Sequence, residues 1–320
     1  MARLGSVFGS VLLGLLGSLS LVACTGAPDD EAGEVVPREL DGACPLDQRV
    51  GLFSVVHETD YSAIDGEINE AVIPTSIVEE VLAEGGCRLL EPSNPFCDPP
   101  CAGGDVCGQA GSCIPYPDRL ETGVVTIAGL DVDVAMNPRA DLRYFETALP
   151  HPVFSPGRAI ALTSTGGEIS PLDLGGRGFA PLELLGTTWT AQPGQPLIVE
   201  WVAEQADEAN PSMTSFYMTI NVDQHGTSPA TLVCEGPDTG SFAVPAAIVD
   251  ALLDAGVSGF PVGHAYRRTV DSASVEVGCV EFQVRSHRSA QIEVVGHTPC
   301  TSSADCPDGL SCDVVNQTCV

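Results

Sequence analysis

Twelve cysteines beyond residue 40 constrain what this chain can fold into more than any other feature. They are Cys44, Cys87, Cys97, Cys101, Cys107, Cys113, Cys234, Cys279, Cys300, Cys306, Cys312 and Cys319; a thirteenth, Cys24, stands apart near the start. In an oxidising compartment an even set of twelve implies six disulfides. The cysteines fall into groups of six, two and four, so each group can close within its own region. Cys44 and Cys87 are expected to pair with each other or with members of the run CDPPCAGGDVCGQAGSC at 97–113. Cys234 and Cys279 are expected to pair together and to enclose the segment between them. The last four lie in about twenty residues, too few to build a core, and pairs 300–312 and 306–319 are one way to staple them. Zinc binding is the competing reading of such clusters. It is disfavoured because paired C-x2-C knuckles are missing and an exported chain meets oxidising conditions.

Export is read from the N-terminus. One arginine, Arg3, precedes the apolar run VFGSVLLGLLGSLSLVA at 7–23. The run has the length of a signal-peptide core and is too short and glycine-rich for a membrane span. It ends in Leu21-Val22-Ala23-Cys24, which resembles a bacterial lipobox. That resemblance implies cleavage before Cys24 and lipidation of its thiol. Several acyl chains then hold a folded body on a bilayer where one chain binds only marginally. Thr25 stands where an inner-membrane retention signal places Asp, so likeness to Gram-negative lipoproteins implies the outer membrane. Residues 25–43 are rich in Gly, Pro, Asp and Glu and read as a flexible acidic tether.

Charge narrows the partners. The chain carries 43 acidic residues against 13 basic ones, all arginine, for a formal net charge of −30. Such a surplus argues against nucleic acid and against a polybasic contact with anionic lipid.

The segments organise into a signal peptide at 1–23, a lipidated tether at 24–43, a cysteine-rich N-terminal module with one helix at 44–119, a β-sandwich domain with one helix at 120–298, and a cysteine-rich clip at 299–320. Many short alternating segments between Gly, Pro, Asp and Ser predict strands, among them 51–59, 123–136, 158–164, 179–184, 187–191, 196–203, 215–223, 230–236, 274–286 and 291–296. The pattern predicts a mainly β chain built on an antiparallel sandwich. Helices are predicted at 71–86 and 244–256, which share a V-P-x-x-I-V-acid pattern or its near equivalent and end in Gly85 and Gly256. Trp189 and Trp201 read as core packing, with a surface platform for a sugar or peptide as the alternative.

Catalytic signatures are mostly missing. No nucleophile elbow, zincin motif or phosphate loop occurs. GGRG at 175–178 reads as a loop. The histidines 57, 151, 225, 264, 287 and 297 are scattered. Asp223, His225 and Ser228 form the one local group with the side chains for hydrolysis or metal-dependent chemistry. A polar turn is the ordinary reading of the same residues. Asp131 and Asp133 on one strand face, and Asp238 in a GPDTGS turn, offer weak calcium sites at most. The segments LVAC (21–24), CDPPCAGGDVCG (97–108), VDQHG (222–226) to CEGPDTGSFAVP (234–245), and DCPDGLSC (305–312) resemble cysteine-rich lipoproteins of myxobacteria and relatives. That likeness implies an envelope location and no particular activity. The expectation is a non-catalytic surface lipoprotein that contacts a glycan or another envelope protein through disulfide-held loops, with a hydrolase centred on Asp223 and His225 as the alternative.

Overall fold

The computed structural model describes residues 35–74, 78–92, 97–108, 111–204, 214–222 and 230–320. Residues 35–320 belong to one compact unit. Strands come in the order β1 (Arg49–His57), β2 (Ser62–Asn69), β3 (Val78–Glu84), β4 (Cys87–Pro92), and the short pair β5 (Val106–Cys107) and β6 (Cys113–Ile114). Then follow β7 (Arg119–Leu120), β8 (Val125–Ala128), β9 (Val134–Met136), β10 (Tyr144–Glu146), β11 (Ala159–Ser164), β12 (Asp173–Arg177), β13 (Thr188–Ala191) and β14 (Leu197–Glu200). The last part holds β15 (Ser215–Asn221), β16 (Thr231–Pro237), β17 (Ser241–Val244), helix α1 (Ala246–Ala255), β18 (Val262–Val275), β19 (Gly278–Val294), β20 (Cys312–Asp313) and β21 (Thr318–Cys319).

The fold is mainly β, as the alternation predicts. One large sheet runs β10-β2-β1-β19-β18-β15-β16-β4-β3, with β13 and β7 attached to β19 and β2. Neighbours are antiparallel except that β1 and β13 run parallel to β19. Two smaller layers cover one face. A four-stranded sheet, β12-β11-β8-β9, covers one half, and the β14–β17 pair with α1 covers the other. Each half has its own hydrophobic core. Phe53, Ile127, Leu162, Phe179 and Phe282 centre one; Trp189, Trp201, Phe216, Leu232 and Leu252 centre the other. Both tryptophans are therefore core residues, at 4% and 2% exposure, and not a surface platform.

Strand β19 spans both cores. Val280, Phe282 and Val284 lie in one and Ala290, Ile292 and Val294 in the other. Between them stand Ser286 and Arg288, and in register with Ser286 are Arg267 and His57. These polar residues form a seam across the covered face. Arg267 is 1% exposed, and its guanidinium fills the seam. It donates to Asp238 at 2.5 Å and to the carbonyls of Ala180, Pro181 and Val202 at 2.8, 3.2 and 2.5 Å. Asp238 also accepts from Trp201 Nε1 at 2.5 Å and Thr214 Oγ1 at 2.9 Å. The GPDTGS aspartate is thus a buried counter-ion and not an exposed turn acid.

All twelve cysteines beyond residue 40 are in disulfides. The clip is held by Cys300–Cys312 and Cys306–Cys319, and the N-terminal loop by Cys97–Cys107 and Cys101–Cys113. The other pairs cross between regions: Cys44–Cys279 and Cys87–Cys234. The expected Cys234–Cys279 bridge does not form. Cys234 is on β16 and Cys279 on β19, with β15 and β18 between them. Three strand intervals of about 4.8 Å put the two cysteines roughly twice as far apart as a disulfide allows. Cys87 instead lies directly opposite Cys234, with their Cα atoms 4.0 Å apart. The same crossings change the reading of residues 44–119: β1, β2 and β4 are interior strands of the large sheet.

The helix predicted at 71–86 is also overturned. Residues 75–77 lie outside the described set, and 78–84 form β3. Gly85 and Gly86, at φ +60° and +81°, make the two-residue turn that joins β3 to β4. Two successive positive φ angles suit a tight hairpin and not a helix end. The partner segment behaves as predicted. Pro245 caps α1, its carbonyl accepting from Ile248 and Val249 N–H, and Gly256 at φ +126° ends it. Ile248, Val249 and Leu252 face the core. Gly175, Gly176 and Arg177 of GGRG belong to β12, not to a loop. A Cβ at Gly176 would come within 2.7 Å of Val284, so glycine lets the two sheets approach.

Candidate functional site

The opposite face of the large sheet, uncovered by either layer among the described residues, carries a group of aromatic and cationic side chains in which Arg268 is buried and Tyr217, Tyr266 and Arg285 are half-buried. Cross-strand partners share a face and touch. Tyr217, Tyr266 and His287 are successive partners across β15, β18 and β19, and Glu235 of β16 flanks Tyr217. The Tyr217 and Tyr266 rings are 5.8 Å apart, and Tyr266 stacks on His287 at 4.8 Å. Beside this row, Ser215, Arg268 and Arg285 line up on the same strands. On the other side stand Thr219, His264 and Ser289.

The two arginines are held differently. Arg268 lies 3.8 Å over the Tyr217 ring and pairs with Glu235 at 2.9 Å. Arg285 lies 5.6 Å over Tyr266, and among the described residues no carboxylate is within ion-pair distance of it. The Nε atoms of both arginines are buried without an acceptor. Burial pulls the Arg285 guanidinium below its ordinary value, against the pull of Tyr266, Glu58 and Asp65. Burial raises both tyrosines, so they are neutral phenols that donate and accept hydrogen bonds.

A histidine relay closes one end. Glu58 Oε2 is 2.7 Å from His287 Nδ1, and His287 Nε2 is 3.0 Å from His264 Nδ1. With Nδ1–H of His287 donating to Glu58, its Nε2 accepts from His264 Nδ1–H. His264 Nε2 is then left as an acceptor at the edge of the row. Burial first, and then the neighbouring His287, lowers the His264 pKa. On the covered face next to Glu58, the His57 and His151 rings meet at a tilt of 31°, with centroids 4.5 Å apart. Four of the six histidines that look scattered in sequence therefore converge on the end of β1.

The seam holds a second feature, a cavity of about 770 Å³ among Leu182, Leu184, Val202, Glu204, Arg267 and Arg288. Burial raises the Glu204 pKa against the attraction of Arg267. The charged groups here are partnered inside the protein. Arg267 holds Asp238, Glu204 accepts from Ala180 N–H at 3.2 Å, and Arg288 donates to the His287 carbonyl. This cavity joins the two cores and offers a ligand few free groups.

The residues singled out from sequence are placed as follows. Cys24, Asp223, His225 and Ser228 lie outside the described residues. Asp131 and Asp133 are exposed in the β8–β9 connection and not on a strand, with Asp131 accepting from Ser155 at 3.2 Å. Among the described residues, the groups close enough to share a metal ion are Cys97, Cys101 and Cys113, and Cys300, Cys306 and Cys312, and every one of these sulfurs is in a disulfide. No helix among the described residues is long and apolar enough to cross a membrane. Tyr217, Tyr266, Arg268 and Arg285 were not legible as a site. Their only signal is the alternation H-x-Y-x-R at 264–268 and R-x-H at 285–287, which becomes a row once the register of β18 and β19 is known.

No protein-family model matches the chain, and no curated protein matches it in sequence. Among solved structures, one similar chain is a Ca²⁺-stabilised adhesin that helps an Antarctic bacterium bind ice, at 9% identity and TM-score 0.17, over 81% of this chain and 52% of that one. Another is the FN1–FN3 domains of chicken CNTN1, at 6% identity and TM-score 0.18, over 68% of this chain and 66% of that one. This chain thus spans from about half to about two thirds of their lengths, and superpositions this loose establish neither a common fold nor a common function.

Proposed function

We propose that this chain is a non-catalytic surface lipoprotein of a bacterial envelope, of the kind it resembles in myxobacteria, and that it binds its partner through the uncovered sheet face. Lipid on Cys24 holds it to the outer membrane, and the acidic segment after Cys24 lets the folded part stand away from the bilayer. The observation that carries the binding role is the opposition of Arg268 and Arg285 on neighbouring strands. Like charges directly opposite one another destabilise a sheet. Among the described residues only Arg268 of the two has a carboxylate partner, in a chain with more than three acids for every base. A protein with so many acids leaves a guanidinium unpaired on a polar face where that charge serves contact with something else.

The test is capture of solubilised envelope from the producing cell by the mature folded protein, compared with Arg285→Gln and Tyr266→Ala variants. Specific capture by the parent and its loss in both variants supports the reading. Equal capture by all three refutes a role for this face. The anchor is tested separately: Cys24→Ser releases the protein from the membrane fraction if the thiol carries the lipid, and unchanged detergent-dependent association refutes it.

A further inference from the structure

We propose that the ligand of the uncovered sheet face is an acidic polysaccharide, whose carboxylates pair with Arg285 while its hydroxyls bond the flanking tyrosines and His264. This rests on the binding role proposed above and adds the ligand's chemical class.

Three properties of the row point to this class. The first is charge. Arg285 has no carboxylate partner among the described residues, and its half-buried guanidinium keeps an Nε–H without an acceptor inside the protein, so its charge is uncompensated locally. Guanidinium is planar, and stacking on Tyr217 and Tyr266 fixes its plane, which suits a carboxylate. The second is the hydrogen-bonding character of the neighbours. Tyr217, Tyr266, Thr219 and Ser289 both donate and accept, and His264 Nε2 accepts, as pairing with sugar hydroxyls requires. The Tyr217 ring face is covered by Arg268 and that of Tyr266 by His287 and Arg285, so these rings offer a ligand their polar edges rather than a bare apolar face. The third is shape. The row crosses β16, β15, β18 and β19, a length of roughly 15 Å at ordinary strand spacing. A linear chain of sugars can lie along it. The chain's net charge of −30 disfavours contact with a polyanion wherever no arginine offsets it.

The experiment is calorimetric titration of the mature protein with polygalacturonate, neutral dextran and poly-L-glutamate at moderate salt. The parent binds polygalacturonate and not dextran. Arg285→Gln weakens binding roughly tenfold or more, the size of losing a charge-assisted hydrogen bond. Arg285→Lys retains the charge without the planar fork and falls between, which separates a lost contact from a misfolded variant. Arg139→Gln, at a surface position outside the row, binds like the parent. Poly-L-glutamate binding as tight as polygalacturonate overturns the proposal in favour of an acidic peptide or charge alone. Binding that ignores Arg285 overturns it as well. If no polysaccharide binds while envelope capture still depends on Arg285, the ligand class is wrong and the binding role stands.

Discussion

His57 makes stability depend on pH in a way that one variant isolates. It lies at the end of β1 on the covered face, 4% exposed, against the His151 and Phe154 rings at 4.5 and 5.9 Å. Its Nδ1 is buried without a partner. Burial, then the charges of His151 and Arg288, pull its pKa from 6.5 down to about 4, with Glu58 opposing. The unfolded chain takes up a proton near 6.5 and the folded protein does not until about 4. Stability from this residue is therefore complete above 6.5 and is lost as pH falls through that window. The whole shift is worth about 3 kcal/mol, and about 2 kcal/mol of it is gone by about pH 5. His57→Gln removes the titration but keeps a polar group at the site, so any packing cost it brings is independent of pH. Urea unfolding of parent and variant between about pH 7 and about pH 5 gives the comparison. Acid also relieves the repulsion among the acidic residues, but parent and variant share that effect. The parent should lose about 1–2 kcal/mol more than His57→Gln across this range. Two curves that stay within about 0.3 kcal/mol of each other would refute the assignment of a buried, neutral His57.

Three further perturbations test the frame. Asp238→Ala strands the Arg267 guanidinium and the Trp201 indole N–H in the seam and should cost about 3–5 kcal/mol in denaturant unfolding. Burial pushes the Asp238 carboxyl up, but hydrogen bonds from Arg267, Trp201 and Thr214 outweigh it and hold the pKa below 3.8. Its contribution is thus present above 3.8 and lost as pH falls through the lower folded value, a loss that the alanine variant should not show. The double variant Cys44→Ser, Cys279→Ser frees a long loop and should lower stability by about 2–5 kcal/mol, read as a fall in the calorimetric midpoint. Gly176→Ala forces a methyl against Val284 and Phe282 and should cost about 1–3 kcal/mol, with little change in the circular dichroism of the folded state.

Alternation along the chain made the β class legible, and Pro245 and Gly256 marked α1 at both ends. The same kind of pattern misled at 71–86. Val78, Val81 and Leu82 fit a helix face as well as a hairpin arm, and the arm is decided by β4, which is in place to pair with it. Propensity over a short segment is weak against a hydrogen-bonding partner. The two echoing segments are in fact neighbours, since Gly85 approaches Pro245. Cysteine counting gave the number of bridges but not the two that cross regions, because the order of strands in the sheet is not written in local spacing. The row of tyrosines and arginines was hidden for the same reason. Tyr217, Tyr266 and His287 come from three strands, and nothing in the separate segments tells which residues stand opposite each other.

The bridge from Cys44 to Cys279 has a mechanical consequence for a body hung from its N-terminus. A pull on the residues before Cys44 does not have to peel β1 from its neighbours. The load crosses a covalent link into the start of β19, the strand that runs beneath both cores and pairs with β18 from Gly278 to Gln291. Force that arrives there is shared in shear among many backbone hydrogen bonds at once, the same bonds that hold the arginine row in register. If Cys24 anchors the chain and the row binds as proposed, the load from the anchor enters the same sheet that carries the row, and the folded body would bear tension without unravelling from its N-terminal end.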